Sequence, residues 1–214
     1  LRNAIRLTSL ALGCVFTTLP VPAARAATEH FLIDPVHTRI AFRVTHLGLS
    51  QSIGTFSGAN GTLDFDPADW RGAKLDVSIQ LDRLDMGDDA WTRKVLSDAF
   101  LDAAKQPVAR FVATNVEPTG PTHAKVTGKL SLRGRESTVV LDVALNGLKR
   151  SVYTVFRRTA GFSATTTVHR KDFGMDAFPD AVGQDVIIDI EAEASAQASE
   201  THVSTPATTR EPNR

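Results

Sequence analysis

Asp34-Pro35-Val36-His37-Thr38-Arg39-Ile40-Ala41-Phe42-Arg43-Val44-Thr45-His46 opens the stretch, residues 34–56, whose reading decides the fold. Ile40, Phe42, Val44 and His46 share one parity, so a strand would carry all four on one face, with Arg39, Arg43 and Thr45 on the other. Leu47-Gly48-Leu49-Ser50 then turns the chain toward Gly54-Thr55-Phe56. An apolar face that ends in an imidazole predicts a lined interior with a polar end rather than a plain core.

Further segments repeat the alternation. Residues 54–65 predict a second strand, broken by Gly58 and Gly61 and closed by Asp66-Pro67. In 73–82, Ala73, Leu75, Val77, Ile79 and Leu81 alternate with Lys74, Asp76, Ser78, Gln80 and Asp82, one face buried and one wet. Residues 88–104 depart from this pattern. Asp88 or Asp89 can cap a short helix with Trp91 and Val95 four apart, and Asp98 can cap a second turn carrying Phe100 and Leu101, before Pro107 ends the insertion. Strands then follow over 109–116, 124–132, 138–145, 160–169 and 186–194, the first two joined by Glu117-Pro118-Thr119-Gly120-Pro121. Many strands with short turns and a single helical insertion predict an all-β antiparallel barrel or sandwich.

The first residues bound the compartment. Arg2 and Arg6, an apolar run from Leu7 to Leu19 and Ala24-Arg25-Ala26 have the order of a secretory signal peptide, with cleavage expected after Ala26 and a periplasmic product. The run is shorter than the roughly 20 residues of a membrane span. Cys14, the single cysteine, lies inside this leader, so the mature chain offers no thiol for catalysis, disulfides or metal. Removing 1–26 takes three arginines and no acid from a balance of 24 basic and 24 acidic side chains, leaving a formal charge of −3. Such a chain lacks the basic footprint of a nucleic-acid binder. One domain is expected over 27–196, followed by a Ser/Thr/Ala/Pro-rich tail, 197–214, of disordered composition.

Asp34-Pro35-x-His37-Thr38-x-Ile40-x-Phe42-x-Val44-x-His46-x-Gly48, then Gly54-x-Phe56, Gly61-x-Leu63-x-Phe65-Asp66, Gly128-x-Leu130-Ser131-Leu132-x-Gly134, Gly161-Phe162-x-Ala164 and Arg170-Lys171-Asp172-Phe173-Gly174-Met175 together resemble the YceI family of exported, lipocalin-like polyisoprenoid-binding proteins. The resemblance covers about residues 29–194 in the family's order. It implies an eight-stranded antiparallel barrel with a helical segment near one end, enclosing an apolar tunnel for an isoprenoid or other long-chain lipid, with no cofactor and no chemistry. The chain departs from the family at Val95-Leu96, where His-Leu is frequent, and at Gln106, where an aromatic is common. No polar role of that family histidine carries over here.

The candidate wall residues are Ile40, Phe42, Val44, Phe56, Val77, Ile79, Phe111, Leu130, Val143, Phe162 and Ile188, which either line a tunnel or fill a solid core. His46 is either a hydrogen-bonding partner of a ligand head or a tether satisfied by a backbone carbonyl, the second being favoured. His37 is expected to anchor the strand start or face solvent; Arg170 and Asp172 are expected to pair with each other and pin Phe173-Gly174, a structural role being favoured over a ligand role. Lys149, Arg150, Arg157 and Arg158 form a basic cluster expected near a barrel mouth, where Arg157 and Arg158 would meet a pyrophosphate head or an anionic lipid surface. Peripheral contact with membrane lipid and a homodimer are compatible with such a chain. His-Glu-x-x-His, Gly-x-Ser-x-Gly and phosphate-binding glycine loops are absent from the sequence, which argues against an enzyme. The main expectation is an exported binding protein that carries, stores or senses a long-chain lipid. The alternatives are a metal- or carboxylate-dependent hydrolase on a barrel rim and a periplasmic interaction or stress-response module with an incidental cavity.

Overall fold

The structure, a computed structural model, describes residues 28–150 and 152–197. The expected leader, with Cys14 and its cleavage site, lies outside those residues, as does the expected tail beyond Gln197. Eleven strands and one α-helix follow in order among the described residues: β1 (Glu29–Ile33), β2 (Arg39–His46), β3 (Ser50–Ser57), β4 (Asn60–Phe65), β5 (Lys74–Gln80), β6 (Leu84–Asp85), α1 (Asp89–Leu96), β7 (Val108–Gly120), β8 (His123–Leu132), β9 (Arg135–Arg150), β10 (Arg158–His169) and β11 (Val182–Ala196). Eight of them, in the order β1-β4-β5-β7-β8-β9-β10-β11, form a ring that β1 closes by pairing with β11. Neighbours in the ring are antiparallel, which decides for a barrel over a sandwich.

The length of β11 shapes the molecule. Its last residues pair with β1, Ile33 opposite Ala194 and Phe31 opposite Ala196. Its first ten residues run instead along β2, paired from Glu191 opposite Arg39 to Val186 opposite Val44 and, past an irregularity, at Val182 opposite His46. One end of the wall therefore closes as a tight ring, and the other continues into β2, β3 and β6. The segment carrying α1 covers this splayed end, since Met86, Trp91, Val95 and Leu101 share a cavity with residues of β2 and β3. Asp88 caps α1 by accepting a hydrogen bond from the Trp91 N–H at 2.9 Å.

The tight end is plugged by rings. Phe65 meets Trp70 and Phe162 edge-on at 5.2 and 5.6 Å between centroids, and Phe31 lies 6.4 Å from Phe65. Phe31 and Phe65 are fully buried. In the wall, Gly54 and Gly128 lack side chains where a Cβ would collide with the rings of Phe42 and Phe111, so two glycines leave the space that two aromatics use.

The structure redraws several expected boundaries. β1 precedes the opening stretch and contributes Phe31 and Ile33 to the core, although five residues before Asp34-Pro35 are too short to show a period. Residues 54–65 form parts of two strands, because Gly58 at φ 71° breaks the run and the chain crosses from β3 to β4. The expected strand over 73–82 ends at Gln80; Leu81 enters a 3-10 turn whose N–H donates to the Pro107 carbonyl. Asp98 caps nothing. Residues 97–102 are turns tied by Leu101 N–H to Val95 C=O and Asp102 N–H to Ser97 C=O. β7 runs through Pro118 to Gly120, the ladder slipping at that point, where a proline has no N–H to donate.

Candidate ligand-binding cavity

The barrel is hollow in two adjoining chambers. The inner one, about 190 Å³, is lined by Val77, Ile79, Phe111, Val143 and Phe162 together with Ile33, Phe65 and Trp70 of the plugged end. The outer one, about 330 Å³, is lined by Phe42, Val44, His46 and Phe56 of β2 and β3, and by Met86, Trp91, Phe100, Met175 and Phe178. Ile40, Leu130, Val168 and Ile188 line both and form the neck between them. Strand register explains the assembly: Ile40 stands between Ile190 and Phe56, and Val44 between Val186 and Ser52, so one parity from three strands faces inward. Every apolar residue expected on the wall borders one of the two chambers, and Phe111 among them also belongs to the buried core.

His46 is half-buried at the outer mouth, and its ring meets the Trp91 indole edge-on at 5.8 Å. The expected backbone carbonyl is not its partner: among the described residues the ring makes no hydrogen bond, and its contact is the Trp91 indole.

Arg170 does not pair with Asp172. It is 3% exposed, in the 3-10 turn after β10, and donates through Nε to the Gly183 carbonyl at 2.9 Å and through Nη2 to those of Ala177 and Val182 at 3.2 and 3.1 Å. These bonds tie the end of β10 to the start of β11. Burial lowers the guanidinium pKa, opposed by the field of Asp176. Nη1 is buried without a partner, and Arg170 lines the outer chamber. Two neutral groups bordering the inner chamber, Thr38 Oγ1 and Trp70 Nε1, are likewise buried and unpaired.

Arg157 and Arg158 line neither chamber. Arg157 ends the β9–β10 connection and Arg158 begins β10, both at the plugged end, where Arg158 forms an ion pair with Glu29 of β1. Arg150 Nη1 donates to the Phe156 carbonyl at 3.3 Å. The strands β9 and β10 run past the start of β8, which carries this basic cluster away from the mouth beside α1. Val152, Tyr153, Val155 and Phe156 are exposed at its tip.

His37, His46 and His169 do not converge on a metal site. His46 meets Trp91, His169 bonds Asp185 at 2.7 Å, and His37 bonds Asp34 at 2.8 Å, anchoring the strand start. Among the described residues, Asp34, His37 and Glu193 do bring their ligand atoms within 4.8 Å of one another, at the β1–β2 turn, and none of them lines a chamber. Phe178, Met175 and Met86 were not legible as cavity residues because they lie in connections without strand or helix period.

Fold and cavity define a class: an antiparallel barrel of the lipocalin-like kind, hollow, with an apolar lining and a helix beside its mouth. The chain matches the YceI-like domain model over residues 31–194 and belongs to that family. It is 34% identical over 189 residues to a UPF0312 protein of Pseudomonas savastanoi pv. phaseolicola, covering 87% of this chain and 95% of the relative. A UPF0312 protein of Azotobacter vinelandii is 32% identical over 189 residues, covering 86% and 95%. Among solved structures, BcnA of Burkholderia cenocepacia superposes with a TM-score of 0.68 at 22% identity, covering 75% of this chain and 98% of that one. The YCEI protein of Campylobacter jejuni gives 0.61 at 26%, covering 72% and 90%. A polyisoprenoid binding domain from Saccharophagus degradans gives 0.63 at 12%, covering 79% and 99%.

Proposed function

We propose that this protein is an exported, non-catalytic binding protein that holds one long apolar chain, an isoprenoid or similar lipid, in the two adjoining chambers. The observation that carries the reading is their lining: among the described residues it contains no acidic side chain, and the walls of both chambers are dominated by aliphatic and aromatic groups. Each methylene equivalent taken from water contributes about 0.8 kcal/mol. A chain spanning both chambers therefore offsets the cost of association without a strong polar contact. The leader-like first residues support release into the periplasm, where the protein would carry, store or sense its lipid. The description of the Saccharophagus degradans domain as polyisoprenoid-binding points the same way.

Peripheral membrane contact is part of the proposal, through the β9–β10 tip. Val152, Tyr153, Val155 and Phe156 are exposed there between Lys149-Arg150 and Arg157-Arg158, the combination that suits an anionic lipid interface. Titration of lipid-stripped protein with geranylgeraniol below its aggregation limit tests the cavity: saturable binding of one molecule per chain is expected. Failure of this and other long-chain apolar probes to bind would refute it.

A further inference from the structure

Two cations border the outer chamber, and neither has a carboxylate partner. Arg170 spends Nε and Nη2 on three backbone carbonyls and leaves Nη1 buried and unpaired. Lys94, on α1, places Nζ 4.9 Å above the ring of Phe178. Phe178 stacks on Phe100 at 5.9 Å, and the Arg170 guanidinium carbon lies 5.7 Å from the Phe100 centroid. A stacked aromatic pair is therefore flanked by one cation on each ring, at the rim of a mainly apolar cavity whose other polar lining residues, His46 and Ser52, carry no negative charge. No Asp or Glu lines that chamber, and neither cation forms an ion pair among the described residues; Asp176 acts on Arg170 only through its field. A buried charge held by carbonyl dipoles and an incomplete hydrogen-bond set is costly unless an acceptor completes it.

We propose that the outer chamber selects an acidic amphiphile, a single long apolar chain ending in a carboxylate or phosphate, whose head is received by Arg170, with Lys94 contributing its charge from the other ring of the aromatic pair. The proposal rests on the reading of the chambers as a lipid site and adds to it the charge and the direction of the ligand. The tail enters past the neck toward the aromatic plug, and the head stays at the rim beneath α1. A guanidinium offers an oxyanion a charge-assisted hydrogen bond that it cannot offer as strongly to an alcohol. Phosphate and carboxylate share this chemistry and differ in the charge they present to Lys94.

The test compares heads on one tail: hexadecanol, hexadecanoate and hexadecyl phosphate, titrated into lipid-stripped protein and into Lys94→Met, Arg170→Met and Arg170→Lys. The acidic probes are expected to bind about tenfold more tightly than the alcohol. That ratio is expected to narrow in Lys94→Met, to collapse in Arg170→Met and to be partly restored in Arg170→Lys. Should Arg170→Met fail to fold, as its ties to β11 allow, the wild-type ratio and Lys94→Met decide. Equal affinity for alcohol and acids, or an unchanged ratio in Lys94→Met and in every folded Arg170 variant, overturns the head-group assignment and leaves the cavity reading standing. Failure of all three probes to bind overturns both. A preference for phosphate over carboxylate identifies the head as a phosphate ester, and the reverse identifies a fatty acid.

Discussion

His46 stands edge-on to Trp91 across the mouth of the outer chamber, ring centroids 5.8 Å apart and planes at 84°. The first residue comes from the end of β2 and the second from α1, so this contact joins the barrel wall to the segment that covers it. Trp91 is 44% exposed and lines the outer chamber, so on the proposed reading it borders the way out for a bound chain. Trp91→Ala should therefore speed ligand release severalfold while shifting the melting temperature by no more than about 2 °C. Stopped-flow displacement beside a thermal melt checks both halves.

The neck makes a prediction about length. Leu130 and Ile188 border both chambers, so Ile188→Phe should obstruct passage into the inner one. Affinity for geranylgeraniol is expected to fall by more than about tenfold, and affinity for geraniol, which fits in the outer chamber alone, to change little. Parallel titrations with the two alcohols measure this.

Plug and wall should differ in stability. Phe65 is fully buried against three aromatic rings, so Phe65→Ala is expected to cost about 3–5 kcal/mol in chemical denaturation. Phe42 already borders open space and is only partly buried, so Phe42→Ala should cost less while weakening ligand binding more.

The Asp34–His37 pair predicts a pH response at the β1–β2 turn. Partial burial pushes the Asp34 carboxyl up, but hydrogen bonds from the His37 ring and from the N–H groups of His37 and Val36 bring it below its ordinary value. The bond to Asp34, then the charges of Asp34 and Glu193, raise His37 above the ordinary histidine value. The stabilising ion pair is therefore present from acid pH, once Asp34 has ionised, and is lost as pH rises through the raised His37 pKa. Titration by NMR should place the His37 midpoint above that of a model histidine, and Asp34→Asn should return it toward normal.

Much of this was legible before the structure. The parity of Ile40, Phe42, Val44 and His46 held because β2 is flanked on both sides by antiparallel partners, so a period of two had nowhere to slip. The Asp88 cap and the Trp91 and Val95 face followed from local helix chemistry. What was not legible depended on placement in space. Arg157 and Arg158 look like mouth residues until the length of β9 and β10 carries them to the plugged end. The pairing of Arg170 with Asp172 was plausible at a separation of two, but a 3-10 turn buries the guanidinium against carbonyls seven to thirteen residues later. Phe178 sits at φ 56° in a connection, and no periodic pattern could have assigned it to the mouth.

Native mass spectrometry of the protein purified from its source cells, followed by solvent extraction and identification of what is released, tests the central claim most directly. The account predicts one long-chain apolar molecule per chain, retained through gentle purification and lost on extraction. A chain that arrives empty, and that takes up no long-chain lipid when offered one, would contradict it.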